Sequence, residues 1–445
     1  MNKTMKKIIA PVMGAALLIP GIASASTEAA PTVNTPAAEL RSTLDHLLSE
    51  HFVLAVTSMT KAYDGAADAD AAAKALDQNA ADMTPAIASV YGEEGAEEFE
   101  RIFKEHNNYT ADFVQAAKEN DSNARAEAEK EVEAFVNEFS AFLSTATGGT
   151  LPATTAEEAI RLHEEQVLSV FDSYTAGDYE AAMVEFREGY QHMFAISKAL
   201  SSAIVTQLPD KFEHTKADAP AAEWRSTLNS LAAEHFALAA MGMQKGVDQA
   251  ADYDFVSWAE DENTADFKAA MASVYGEEGA AQFEKVWQTD HLNAQAEIVA
   301  ATLEENEEAV SAAKKKLDSF ATDFGAFLGT ATAGNLPAEE ATAAVKGHEE
   351  LILQTFDQYA AGDDEAAYES FREGYAYMFG VGQALGEAIV TQMPDNFTDT
   401  AMPDEMPKTG FGGAEESMLP MIWAAMGSML AVMTALLVRR RALQK

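Results

Sequence analysis

A chain that carries one long pattern twice has few folding options, because each copy must find the same structure. Residues 36–212 and 220–397 align at a shift of 184 to 185. Arg41-Ser42-Thr43-Leu44 runs into Glu50-His51-Phe52 and Met59, and Arg225-Ser226-Thr227-Leu228 runs into Glu234-His235-Phe236 and Met243. Ser89 to Ala96 returns as Ser273 to Ala280, and Phe186-Arg187-Glu188-Gly189-Tyr190 returns as Phe371 to Tyr375. The unit is far longer than a solenoid repeat, so each copy is expected to be a whole domain.

Apolar residues recur at helical spacing through each copy, and strand signals are essentially absent. Helices are expected near 36–63, 68–90, 94–119, 122–146, 155–176 and 179–207. The breaks fall at Asp64-Gly65, Tyr91-Gly92, Gly148-Gly149 and Gly177-Asp178, which carry turn chemistry. Thr155, with Glu158 three residues on, reads as a capping box. The expected fold is all-α: two tandem homologous domains, each an antiparallel up-down bundle of about six helices. A flexible lead at 26–35 and a linker at 213–219 complete this part of the chain.

Composition narrows the chemistry. There is no cysteine, which excludes disulfides, thiolate metal sites and cysteine nucleophiles. A formal charge of −42 opposes binding to nucleic acid or anionic lipid and favours cations or plain solubility. No nucleophile triad, phosphate loop or carboxylate dyad stands out, so a binding protein is expected rather than an enzyme.

Both ends read as addresses. Lys3, Lys6 and Lys7 precede an apolar stretch and Ala23-Ser24-Ala25, the form of a secretory signal over 1–25. At the other end a short stalk over 398–409 leads into Met406-Pro407-Lys408-Thr409-Gly410. An apolar run from Met418 to Val438 and Arg439-Arg440-Arg441 follow, within 410–445. This order resembles the cell-wall sorting signal of Gram-positive surface proteins, with Met406 in the usual leucine position. The resemblance implies cleavage by sortase after Thr409, attachment of Thr409 to peptidoglycan, and display on the cell surface. Without cleavage, the same segment is a single-span anchor with the chain facing outward.

The histidines fall where core residues belong. His51 shares a face with Leu44, Leu47, Leu48, Leu54 and Met59. His106 lies on a stripe with Phe99, Ile102 and Phe103, His163 on one with Ile160, Val167 and Val170, and His192 sits beside Met193. A single core imidazole is ordinarily satisfied by a neighbouring hydroxyl or carbonyl. Several in one bundle call for something shared, and a metal ion supplies it. The candidate ligands are His51, His106, His163, His192, Met59 and Met193, with His235 and His348 as their counterparts in the second copy. There His106 aligns with Asp290, with His291 one residue on, and His192 aligns with Tyr377, so the first copy holds the fuller set. Mixed His and Met ligands suit copper; zinc or haem remain alternatives. Glu50 and Glu234 point about 100° away from their histidines and are expected at solvent. His46 and His214 are also expected at the surface.

The pattern from Leu44 to His51, the Tyr91-Gly92-Glu93-Glu94 turn, Phe103 to His106, His163 to Asp172, and Arg187 to Phe194 resembles a family of Gram-positive surface proteins labelled copper amine oxidase. That label implies a topaquinone cofactor and a β-rich catalytic domain. Asn108-Tyr109 is followed by Thr110 rather than an acidic residue, and strand signals are missing, so amine oxidation is not expected. Two functions compete: copper capture or buffering at a histidine-lined site, and an acidic structural or adhesive module with no ligand.

Overall fold

The computed structural model describes residues 30–287 and 291–398. Each repeat contributes six α-helices. The first contains α1 (Pro36–Asp64), α2 (Ala69–His106), α3 (Asn108–Glu119), α4 (Ser122–Ala146), α5 (Ala153–Thr175) and α6 (Tyr179–Gln207). The second contains α7 (Pro220–Val247), α8 (Tyr253–Trp287), α9 (Asn293–Leu303), α10 (Glu307–Ala331), α11 (Ala338–Ala360) and α12 (Asp364–Gln392), then a 3₁₀ turn at Pro394–Phe397. No strand occurs among the described residues. The expected signal, sorting motif and C-terminal apolar run lie outside them. Within them, no helix is long and apolar enough to cross a membrane.

Local chemistry accounts for the boundaries. Thr35 caps α1 by accepting from the Ala38 N–H, and Pro36 opens the helix where its missing N–H costs nothing. Gly65 ends it at φ 66°, the left-handed conformation that favours glycine. At Gly92 (φ 76°) and Gly276 (φ 71°) the backbone leaves helical geometry and resumes it at once, kinking α2 and α8. The capping box expected at Thr155 does not form. Helix α5 starts two residues earlier, after Pro152, which leaves Thr155 inside it.

The helices pack mainly on their neighbours in sequence, though α8 meets α10 rather than α9, and the last returns to the first: α6 lies against α1, and α12 against α7. The separation expected between the repeats is absent. Among the described residues, 31–398 form one compact unit with α1 against α7 at its centre. Helix α7 is buried on nearly every side, as befits its small Ala221, Ala232, Ala237 and Ala239. The lead and the linker are drawn into the same interface. Val33 is fully buried and its carbonyl accepts from Arg225 Nη1 at 3.0 Å; the Ala217 carbonyl accepts from Arg41 Nη1 at 3.0 Å.

Contacts between the repeats are reciprocal, as across a two-fold axis. Arg41 pairs with Glu223 (2.8 Å), and Arg225 with Glu39 (2.7 Å). Arg187 crosses to Glu234 (2.9 Å) and Asp266 (2.6 Å), and Arg372 crosses to Glu50 (2.9 Å) and Asp82 (2.8 Å). Asn79 Nδ2 donates to Glu50 Oε2 (2.7 Å), and Asn263 Nδ2 donates to Glu234 Oε2 (2.8 Å). Tyr190 and Tyr375, both fully buried, bring their hydroxyls to 3.4 Å of each other. Glu50 and Glu234 are therefore 0% exposed rather than at solvent, each ion-paired from the other repeat. His46 is half-buried against Phe379 (5.0 Å between ring centres), while His214 is exposed beside Asp210.

Candidate metal centres

The first centre draws on three helices. The middle of α1 supplies His51, the end of α2 His106, and α5 His163 with Glu164. Ring nitrogens of the three histidines lie within 4.8 Å of one another, and all three side chains are buried. Phe residues hold the rings in place. His106 stacks on Phe135 at 4.2 Å with 9° between planes, and Phe103 stands 5.3 Å from His51. Gly189 of α6 lets Phe52 approach the helix backbone, since a Cβ there would stand 2.3 Å from Phe52 Cζ. This packing fixes the α1 turn on which His51 sits.

The second centre repeats the plan. His235 comes from α7, His348 and Glu349 from α11, and His291 from a π-helical turn just before α9; their ring nitrogens also lie within 4.8 Å. His291 stacks on Phe320 at 4.5 Å and 15°, as His106 does on Phe135. His291 is thus the counterpart of His106, and the second repeat keeps a full triad. In the sequence the extra residue of the second copy falls between Trp287 and His291, and the described chain resumes there with a π-helical turn at residues 291–292. Gly374 repeats the role of Gly189, with a Cβ 2.0 Å from Phe236 Cζ.

A carboxylate joins each triad. Glu164 Oε1 is 3.5 Å from His106 Nε2 and 4.0 Å from His163 Nε2. Glu349 Oε1 is 2.9 Å from His291 Nδ1. Glu164 sits one residue after His163 and Glu349 one after His348, and periodicity alone did not single them out.

The other candidates part company. Met59 lines the small pocket that also holds His51, His106, His163 and Glu164. Met193 and Met378 line an apolar chamber on another side of each triad, and Met243 is buried in the core. His192 stands outside the cluster. Its Nε2–H donates to the Ala159 carbonyl at 3.0 Å, and Tyr377 donates to the Ala344 carbonyl at 3.1 Å in the other repeat. The His192-to-Tyr377 exchange thus swaps one donor for another at the same helix position.

The electrostatics suit a cation. Burial brings His51 and His348 down to about 4, and holds His106, His163 and His235 well below the ordinary imidazole value. The rings are therefore neutral at pH 7, the form that binds metal. Both nitrogens of His51 and of His348, and Nδ1 of His106, His163 and His235, have no hydrogen-bond partner. Buried polar atoms are normally satisfied, so orphans gathered at one point signal a shared ligand. Three imidazoles fit a first-row transition ion at about 2 Å per ligand after a slight inward shift, with a carboxylate beside them. A porphyrin does not fit: the adjoining chambers are ≈ 70 and ≈ 80 Å³, against roughly 300–1,000 Å³ for ligand clefts.

No protein-family model, curated protein or solved structure gives a significant match to this chain.

Proposed function

We propose that this chain is a metal-capture protein that takes up one transition-metal ion in each repeat. The observation that carries the reading is the convergence of three buried, partly orphaned imidazoles in both repeats. Copper suits the site best. It heads the affinity order for nitrogen ligands, and Met59 beside the first triad is a soft neighbour for its reduced form. Zinc is the runner-up for the same donor set. The ends of the sequence support display outside the cell, with the signal-like 1–25 and the sortase-type Met406 to Gly410 motif linking Thr409 to peptidoglycan. An acidic surface favours the approach of cations to such a protein.

The direct test is titration of the exported chain with Cu(I), Cu(II) and Zn(II), with bound metal counted after dialysis. Two equivalents held at micromolar or tighter affinity are expected. Absence of uptake would return the protein to the acidic structural module. Mass spectrometry of cell-wall digests tests the anchoring: a peptidoglycan fragment on Thr409 supports it, and an intact C-terminus refutes it.

A further inference from the structure

The first triad has two unlike sides. In the first repeat, one side carries Glu164, Asn107 and Thr110 around a pocket of ≈ 20 Å³. The other side opens on a chamber of ≈ 70 Å³ whose walls include Leu44, Met83, Phe99, Phe135, Phe139 and Leu143, with His51, His106 and His163 as its only polar surface. The second repeat has the same chamber at ≈ 80 Å³, lined in part by Leu228, Phe267, Phe283, Phe320, Phe324 and Leu328, and again closed by the triad.

The lining is not a copy. Leu48, Met83 and Phe103 give way to Ala232, Phe267 and Trp287, so one wall shrinks while others grow. The void and its apolar character survive these exchanges. Simple core packing would favour filling it, since each unfilled methyl-sized space costs on the order of 1 kcal/mol.

Apolar walls exclude water, which needs two to four polar partners, and they exclude anions for the same reason. An apolar cavity of about 150 Å³ holds benzene or xenon and stays dry, so half that volume suits a single atom or a diatomic molecule. Ala86, Phe139 and Ile196 are only half-buried, which brings the far end of the first chamber close to the surface.

We infer that each chamber is a binding site for a small, neutral, apolar molecule of diatomic size, delivered to the side of the metal that the glutamate leaves open. The inference rests on the metal-capture reading for the position of the ion. The chamber itself stands on geometry alone.

Xenon and carbon monoxide are the probes. Crystals of the metal-free chain under xenon pressure are expected to show one xenon atom in each chamber. The chain loaded with Cu(I) without oxygen and exposed to carbon monoxide is expected to show a carbonyl stretching band. Ala86→Phe in the first repeat and Ala344→Phe in the second fill the chambers from their walls. They are expected to weaken carbon monoxide binding at least tenfold at their own site, with metal stoichiometry unchanged. Metal uptake with no carbonyl band, or a band that the filled variants leave intact, overturns the inference and spares the metal reading. Empty chambers under xenon also overturn it. Failure of metal uptake overturns the metal reading and, with it, delivery to the ion.

Discussion

The two centres share a ligand set and differ in tightness. Ring centres in the first are 5.5, 5.8 and 6.2 Å apart, and in the second 5.0, 5.3 and 5.8 Å. His235 Nε2 and His291 Nε2 approach to 2.9 Å. The carboxylates differ more. Burial without a close partner pushes Glu164 up to about 8. Burial also pushes Glu349 up, but the adjacent His291 outweighs it and holds that carboxyl below its ordinary value. The π-helical turn and the larger Trp287, 4.8 Å from His235, accompany the tighter geometry. The second copy, one residue longer here, thus keeps the histidine cluster while the carboxylate beside it differs in charge state.

The largest effect separates the centres outright. His51→Ala with His163→Ala should leave one ion bound per chain, at the second centre, and His235→Ala with His348→Ala should leave one at the first. Affinity at the altered centre should fall more than the roughly 10- to 100-fold typical of second-sphere changes. Elemental analysis after dialysis counts the ions, and two ions retained in either double variant would break the assignment.

Next in size are the crossing arginines. Arg187→Ala strands Glu234, and Arg372→Ala strands Glu50, each carboxylate fully buried. Removing one partner of a buried pair costs about 3–5 kcal/mol. Denaturant unfolding should show similar losses for both variants, because the crossing pairs are reciprocal even though the metal centres are not. A loss confined to one of them would show that the symmetry of the interface is only apparent.

The pH dependence of the metal-free protein follows. His51 and His348 titrate near 4 when folded against an ordinary 6.5, so the unfolded chain takes up their protons first as pH falls. Their contribution is complete above 6.5 and is lost between 6.5 and 4, on the order of 3 kcal/mol for each histidine. Thermal unfolding at steps across that range measures it. A flat profile, or a gain in stability on acidification, contradicts buried neutral rings. Saturating metal should move the acid loss to lower pH.

The smallest effect sharpens the contrast between the carboxylates. At pH 7 Glu164 is mostly protonated and must release its proton to act as a ligand, whereas Glu349 is already ionised. Calorimetry of metal binding in two buffers of different ionisation enthalpy should find close to one more proton released by the first centre. The His51→Ala/His163→Ala and His235→Ala/His348→Ala chains isolate the two signals. Equal proton release would mean that the carboxylates share one environment.

Much of the site was legible before the structure. His51, His106, His163, His235 and His348 each lay on an apolar helical stripe, and each is a member of a triad. His291 was one residue out of register by linear alignment, and a π-helical turn is invisible to a count of 3.6 residues per turn. His192, about 100° from a core methionine, was the least surely inward of the four, and its imidazole serves a carbonyl on α5. Glu50 and Glu234 pointed away from their histidines as expected. The direction that should have been solvent is the other repeat.

Sequence alone determined that the described chain is helical, that its pattern is duplicated, where most helices begin and end, and which face of each carries a histidine. These depend on local spacing, capping and turn residues, which act over a few positions. Only the tertiary structure decided that the repeats share one interface, that Arg187 and Arg372 cross it, and that three rings rather than four converge with a glutamate. Periodicity identifies an inward face but not what that face meets. Contacts such as Arg372 with Glu50, 322 residues apart, exist only once the helices have packed.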